Sequence, residues 1–165
     1  MQVVVMGVTG VGKSTIGTLL AEALGGRFID ADDYHPPLNV EKMRAGIPLD
    51  DNDRAPWLAA LNTLLRDAEK HGETSVLACS ALKHQYRQVL ADGIAAFKVV
   101  HLHGTRATIA ERLGARHGHY MNPALLDSQL ATLESPADAI VLDIAESPAT
   151  LALAAQRALI ASEKR

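Results

Sequence analysis

Apolar runs and helical periodicities alternate along this chain. Val3-Val4-Val5-Met6 is a continuous apolar stretch closed by Gly7, the pattern of a strand buried on both faces. After Ser14, the residues Ile16, Leu19, Leu20, Ala23 and Leu24 recur at i, i+3, i+4, i+7 and i+8, one face of a helix that Gly25-Gly26 stops. Four more short apolar segments, Arg27–Asp30, Ser75–Cys79, Phe97–Leu102 and Ala139–Asp143, are bounded by turn residues or helical patterns and predict strands. Trp57, Leu58, Leu61, Leu64, Leu65 and Ala68 mark the core face of a long helix, and Leu151, Ala154, Ala155, Ala158 and Leu159 that of the last one. Strand and helix in alternation predict an α/β fold, a five-stranded parallel sheet flanked by helices. With no repeat, low-complexity tract or linker, residues 1–165 read as a single domain with a substrate-facing insertion at about 32–60 and a lid at about 112–124.

Composition narrows the partners. The 165 residues are 48% apolar and 21% charged, so the chain can bury a sizeable core. A formal charge of −3, spread along the chain, leaves no basic footprint for nucleic acid or an anionic membrane. No basic leader or long apolar segment is visible, and the expectation is a cytoplasmic protein. The single cysteine, Cys79, sits in an apolar run and reads as a small core residue.

The sharpest chemical signal is Gly7-Val8-Thr9-Gly10-Val11-Gly12-Lys13-Ser14, a complete G-x-x-x-x-G-K-[ST] phosphate loop between a predicted strand and a predicted helix. The glycines let successive backbone N–H groups face one concavity, and the positive end of the following helix dipole joins them. Residues 7–15, through Thr15, are the expected nucleotide contacts. Lys13 reaches the β- and γ-phosphates, and Ser14 is a ligand for Mg2+.

In open α/β sheets ligands sit beyond the carboxyl ends of the strands. The second strand ends in Asp30-Ala31-Asp32-Asp33-Tyr34-His35, where Asp30 and Asp32 are two candidates for magnesium ligation and for accepting a hydroxyl proton. Asp33 reads as a turn acid. Asp50-Asp51-Asn52-Asp53-Arg54 lacks the glycine and distal glutamate of a calcium loop, which leaves Asp51 or Asp53 as the cap of the Trp57 helix. Arg54 could be braced by these acids and present its fork to an anion. Lys83 and Arg87 are four apart at a predicted helix start and share a face. The glycine-interrupted stretch holding Arg112 and Arg116 reads as a lid that brings an arginine to the transferring phosphoryl group. His101, His103, His117 and His119 lack the further ligands of a metal site.

Taken together, the chain resembles the gluconokinases, which are related to the shikimate and adenylate kinases, nearly from end to end. The resemblance is carried by the phosphate loop, Asp30-Ala31-Asp32 with His35-Pro36, Asn39-Val40-Glu41-Lys42-Met43, Gly46-Ile47-Pro48-Leu49 with Asp51 to Trp57, Cys79-Ser80-Ala81-Leu82-Lys83 with Tyr86-Arg87, and Arg112, Arg116 and Gly118-His119. Shikimate kinases carry three glycines where Cys79-Ser80-Ala81 stands, which favours gluconate over shikimate. The resemblance implies a P-loop kinase transferring the γ-phosphoryl group of ATP, with Mg2+, to the 6-hydroxyl of D-gluconate. It implies Lys13, Asp32, Arg112 and Arg116 in catalysis, Asp32, His35, Arg54, Lys83, Arg87 and His119 toward gluconate, Ser14 and Asp30 on the metal, and a homodimer. The two aspartates could exchange roles, and either arginine could reach the γ-phosphate. The rivals are a kinase of another small acid and a nucleotide-dependent switch. A GTPase switch would need an N/T-K-x-D motif, which the sequence lacks.

Overall fold

The computed structural model describes residues 1–115 and 123–163. Five strands, β1 (Gln2–Met6), β2 (Arg27–Asp30), β3 (Ser75–Ala78), β4 (Phe97–His103) and β5 (Ile140–Asp143), form one sheet in the order β2-β3-β1-β4-β5. All its strand pairs are parallel. Seven helices are described: α1 (Lys13–Leu24), α2 (Pro37–Arg44), α3 (Asp51–Lys70), α4 (His84–Ala91), α5 (Arg106–Gly114), α6 (Pro123–Thr132) and α7 (Pro148–Glu163). A 3-10 turn at Ala31–Tyr34 follows β2.

The side-chain alternation of β1 explains the three layers. Val3 and Val5 point to a core shared with Ile16 and Leu20 of α1 and Leu151, Ala155 and Leu159 of α7. Val4 and Met6 point the other way, onto Trp57, Leu61 and Leu65 of α3 and Leu90 of α4. A central strand covered on both faces must be apolar at every position, hence the unbroken run that opens the chain. No helix among the described residues is long and apolar enough to cross a membrane.

The predicted strands are present, with β3 ending one residue early, β4 running on to His103 and β5 starting at Ile140. On α7 the predicted stripe is rotated: Ala152 is buried and Ala154 is exposed. At about 100° per residue, Leu151, Ala152, Ala155 and Leu159 cluster within one face, and Ala154 falls well outside it. The cap of α3 is also corrected. Asp50, not Asp51 or Asp53, is the N-cap: its Oδ1 accepts from the Asp53 N–H at 2.7 Å, and Asp53 Oδ2 accepts from the Asp50 N–H at 3.0 Å. This reciprocal pair is a capping box.

The chain leaves β1 toward β2 on one side, and leaves its neighbour β3 toward β4 on the other, so the crossovers part in opposite directions there. The crevice beyond the carboxyl end of β1 is the topological switch point where α/β sheets take ligands.

Candidate active site

The loop from Gly7 to Gly12 sits at that switch point and is held by close packing. Gly10 has φ +84°, and a Cβ there would fall 2.7 Å from Leu113 Cγ of α5, so only glycine fits. Gly12, at φ +92°, is the N-cap of α1 and supplies no side-chain cap, and the first turn of α1 holds no acidic residue. The amides that open α1 therefore face the cleft with the helix dipole behind them. The Lys13 ammonium donates to the Val8 carbonyl at 3.0 Å, and the Ser14 hydroxyl donates to Asp30 Oδ2 at 3.0 Å. Thr9 N–H donates to Gln129 Oε1 of α6 at 2.7 Å.

Thr9, Gly10, Gly12, Lys13, Ser14 and Gln129 line a cleft of about 280 Å³ with Asp30, Asp32 and Ser80. Asp30 Oδ1 accepts from the Asp32 N–H at 3.0 Å, capping the 3-10 turn, while Oδ2 is engaged by Ser14. Asp32 stands open, with 88% of its side chain exposed, and its Oδ1 lies 3.9 Å from His35 Nε2. His35 itself is buried at the side chain and stacked on Trp57, with ring centroids 4.2 Å apart. Trp57 Nε1 donates to the Ala31 carbonyl at 2.8 Å, so the indole fixes both the imidazole and the turn that carries Asp32. Burial holds the His35 pKa below its ordinary value, against the pull of the Asp32 carboxylate.

Beyond His35 lies a cluster drawn from the starts of α3 and α4. Asp51 accepts from the Tyr86 hydroxyl, from Lys83 Nζ at 2.9 Å and from Gln85 Nε2 at 3.1 Å. These donors, Tyr86 first, pull the Asp51 carboxyl down to about 2. The Tyr86 ring carries two cations, Arg54 at 5.6 Å and Lys83 at 5.5 Å from its centroid. Arg54 Nη1 donates to the Leu49 carbonyl at 2.6 Å and sits 3.4 Å from the Tyr86 hydroxyl. A backbone carbonyl and a phenol thus brace it, not the neighbouring acids. Only Nη1 of its fork is committed among the described residues.

Two sequence readings are corrected here. Lys83 is the N-cap residue of α4 and turns to Asp51. Arg87 turns inward: it is 6% exposed and donates to the carbonyls of Ala81, Leu82 and Glu134 at 2.8, 3.0 and 2.9 Å. The two therefore do not share a face, and Arg87 spends its guanidinium on backbone carbonyls. It clamps the loop after β3, where Ala81 holds φ +45°, a left-handed conformation costing an L-residue roughly 1 kcal/mol. Arg112 lies in α5, before the lid expected to contain it, and donates to the Ile144 carbonyl. Arg116 and His119 lie outside the described residues. Cys79 is buried, with its thiol pushed up to about 12 by desolvation, which makes it inert as a nucleophile. Among the described residues no cluster of three or more His, Cys, Asp or Glu could hold a metal ion by itself.

Sequence reasoning missed Gln129, Asp51 and Tyr86 as site residues. A lone glutamine in a helix carries no motif, and the Asp51–Tyr86 contact joins positions 35 apart.

The model of the AAA domain matches residues 3–136. A gluconokinase of Gluconobacter oxydans (strain 621H) is 51% identical over 135 residues, covering 82% of this chain and 76% of that protein. The thermosensitive gluconokinase of Escherichia coli (strain K12) is 41% identical over 162 residues, covering 96% and 87%. Among solved structures, a gluconokinase from Sinorhizobium meliloti 1021 superposes with a TM-score of 0.90 at 42% identity, covering 99% of this chain and 93% of that one.

Proposed function

The chain belongs to the gluconokinase family, and from that premise we propose how its cleft divides the work of phosphorylating D-gluconate. The enzyme transfers the γ-phosphoryl group of ATP to the 6-hydroxyl of D-gluconate, giving 6-phospho-D-gluconate and ADP. One observation carries the assignment of roles: an open carboxylate, Asp32, borders the same cleft as Lys13 and Ser14. An acceptor hydroxyl and the phosphoryl donor can meet there.

Asp32 accepts the proton of the 6-hydroxyl as that oxygen attacks phosphorus and the bond to the β-phosphate breaks. Its exposure suits a group that must reach a substrate. His35, its pKa lowered by burial and its ring pinned on Trp57, stands beside Asp32 and disfavours a second full charge there. Arg54 and Lys83 attract the gluconate carboxylate. Lys83 shares its charge with Asp51, so Arg54 with its uncommitted edge is the stronger anchor. Lys13 neutralises charge spreading over the phosphoryl oxygens.

The residues present fit Mg2+. Ser14 and Asp30 place two hard oxygen ligands together at the cleft floor, and a magnesium bound by few protein groups normally arrives on the nucleotide. When bound, the ion would offset the negative charge of the phosphates. Arg112 and Arg116 remain candidates for the same task.

The test is ADP release by the purified protein with Mg-ATP and D-gluconate, shikimate, glycerate or AMP as acceptor. Turnover with D-gluconate, with phosphorus attached at the 6-oxygen by NMR, supports the assignment. Turnover only with another acceptor would keep the kinase and discard the substrate, and no turnover with any acceptor would favour a nucleotide-dependent switch.

A further inference from the structure

The hydrogen bond from Thr9 to Gln129 is a contact in the cleft that the reaction scheme leaves unused. Its position along the phosphate loop is fixed by Lys13, whose ammonium donates to Val8 at 3.0 Å. A P-loop lysine reaches the β- and γ-phosphates, so the Val8-Thr9 stretch marks the γ end, while the amides opening α1 mark the other. Gln129 touches the loop at that γ end, through the Thr9 N–H at 2.7 Å, and lines the same cleft.

The orientation of its carboxamide is settled by chemistry. A backbone N–H is a donor only, so the oxygen of Gln129 must face Thr9, and the nitrogen with its two hydrogens occupies the other arm. Gln129 is also held firmly. Leu126, three residues earlier and one turn away on α6, is 2% exposed within the core that includes Ile16 and Leu113. Leu113 in turn packs directly on Gly10, so the neighbouring loop residue is fixed from α5 as Thr9 is from α6.

We propose that Gln129 recognises the γ-phosphoryl group: its oxygen fixes the Thr9 amide, and its nitrogen donates to a γ-phosphoryl oxygen. The proposal rests on the reading that ATP is the phosphoryl donor. A neutral amide suits this place because a hydrogen bond to an anion is strong, and a group that cannot ionise keeps one polarity at every working pH. It would discriminate the triphosphate from the diphosphate, since ADP has no group at that end.

Two variants test this. Gln129→Glu keeps an acceptor for Thr9 and replaces the donor by a charged oxygen, and Gln129→Met keeps the length and removes both functions. Calorimetric titrations, with Mg2+ and without gluconate, compare a β,γ-imido analogue of ATP with ADP. The expected result is a loss of analogue affinity of about tenfold or more for Gln129→Glu and about fivefold for Gln129→Met, with ADP affinity within about twofold of the unaltered enzyme. Equal weakening of both nucleotides, the signature of a merely structural tie, would overturn the proposal, as would no change in either. Failure of the unaltered enzyme to phosphorylate gluconate would count against the functional reading alone, because the titrations need no acceptor.

Discussion

Two helix starts carry candidate site residues, and they are built in opposite ways. The N-terminus of α1 has a glycine cap at φ +92° and no acid in its first turn, so its amides stay available to phosphate. The N-terminus of α3 is closed by the Asp50–Asp53 box, and its next acid, Asp51, is saturated by Tyr86, Lys83 and Gln85. The nucleotide side recognises its ligand with backbone, which a handful of glycines can shape. On the acceptor side the groups available are side chains, and those need partners to hold them when no substrate does. Backbone recognition suits a ligand common to many enzymes, whereas a side-chain lattice can be changed residue by residue to suit one sugar acid.

The comparison can be broken most severely at the junction of the two sides. Asp32→Asn keeps the shape and removes the proton acceptor, and kcat should fall by about 10²–10⁴-fold. ATP affinity, measured by calorimetry, should stay within about twofold, and near-normal turnover would remove Asp32 from the base role.

The next effect is structural. Arg87→Ala leaves the carbonyls of Ala81, Leu82 and Glu134 without their buried donor. The expected cost is about 3 kcal/mol, or roughly 8 °C in Tm for a chain of this length. Scanning calorimetry checks it, and an unchanged Tm would mean that Arg87 is not the brace of that loop.

A pH experiment sharpens the acceptor side. Burial holds His35 below its ordinary value of 6.5 in the folded protein, so between the two values the unfolded chain binds more protons. Stability should therefore be full above pH 6.5 and be lost as pH falls from there toward the folded value. His101, which is also buried and lowered, adds a contribution of the same sign. Urea melts of His35→Phe, which keeps a ring against Trp57, should show a shallower loss over that window, and an unchanged slope would contradict the neutral, buried imidazole.

The smallest effect is expected at Ala81. Glycine there removes roughly 1 kcal/mol of left-handed strain but also a methyl group that is 1% exposed, whose burial contributes about 0.8 kcal/mol. The two offset, and Ala81→Gly should change stability by less than about 0.5 kcal/mol in a urea melt.

The same contrast explains what the sequence reveals. The phosphate loop, the strands and the core face of α3 are local patterns, and all are legible from spacing alone. Arg87 misleads because its four-residue spacing from Lys83 describes an ideal helix face. Lys83 instead stands outside the helix as its N-cap, with φ −90° and ψ 146°. The cap of α3 misleads because Asp50, Asp51 and Asp53 all qualify by type, and the bonds that engage Asp51 elsewhere come from Lys83, Gln85 and Tyr86 in a distant segment. Gln129 is invisible for the same reason: its partner Thr9 lies 120 positions away. Asp32 and Arg54 are suggested by strand-end and helix-start position and His35 by family resemblance, but the Trp57 and Tyr86 contacts that hold this side are not legible in the sequence.

The measurement that tests this division most directly is the response of both substrates to Arg54→Ala. The KM for D-gluconate should rise about tenfold or more through loss of a charge-assisted contact, while the Kd for ATP stays within about twofold. An unmoved gluconate KM, or an equal loss of ATP affinity, would contradict an acceptor side built from side chains apart from the phosphate loop.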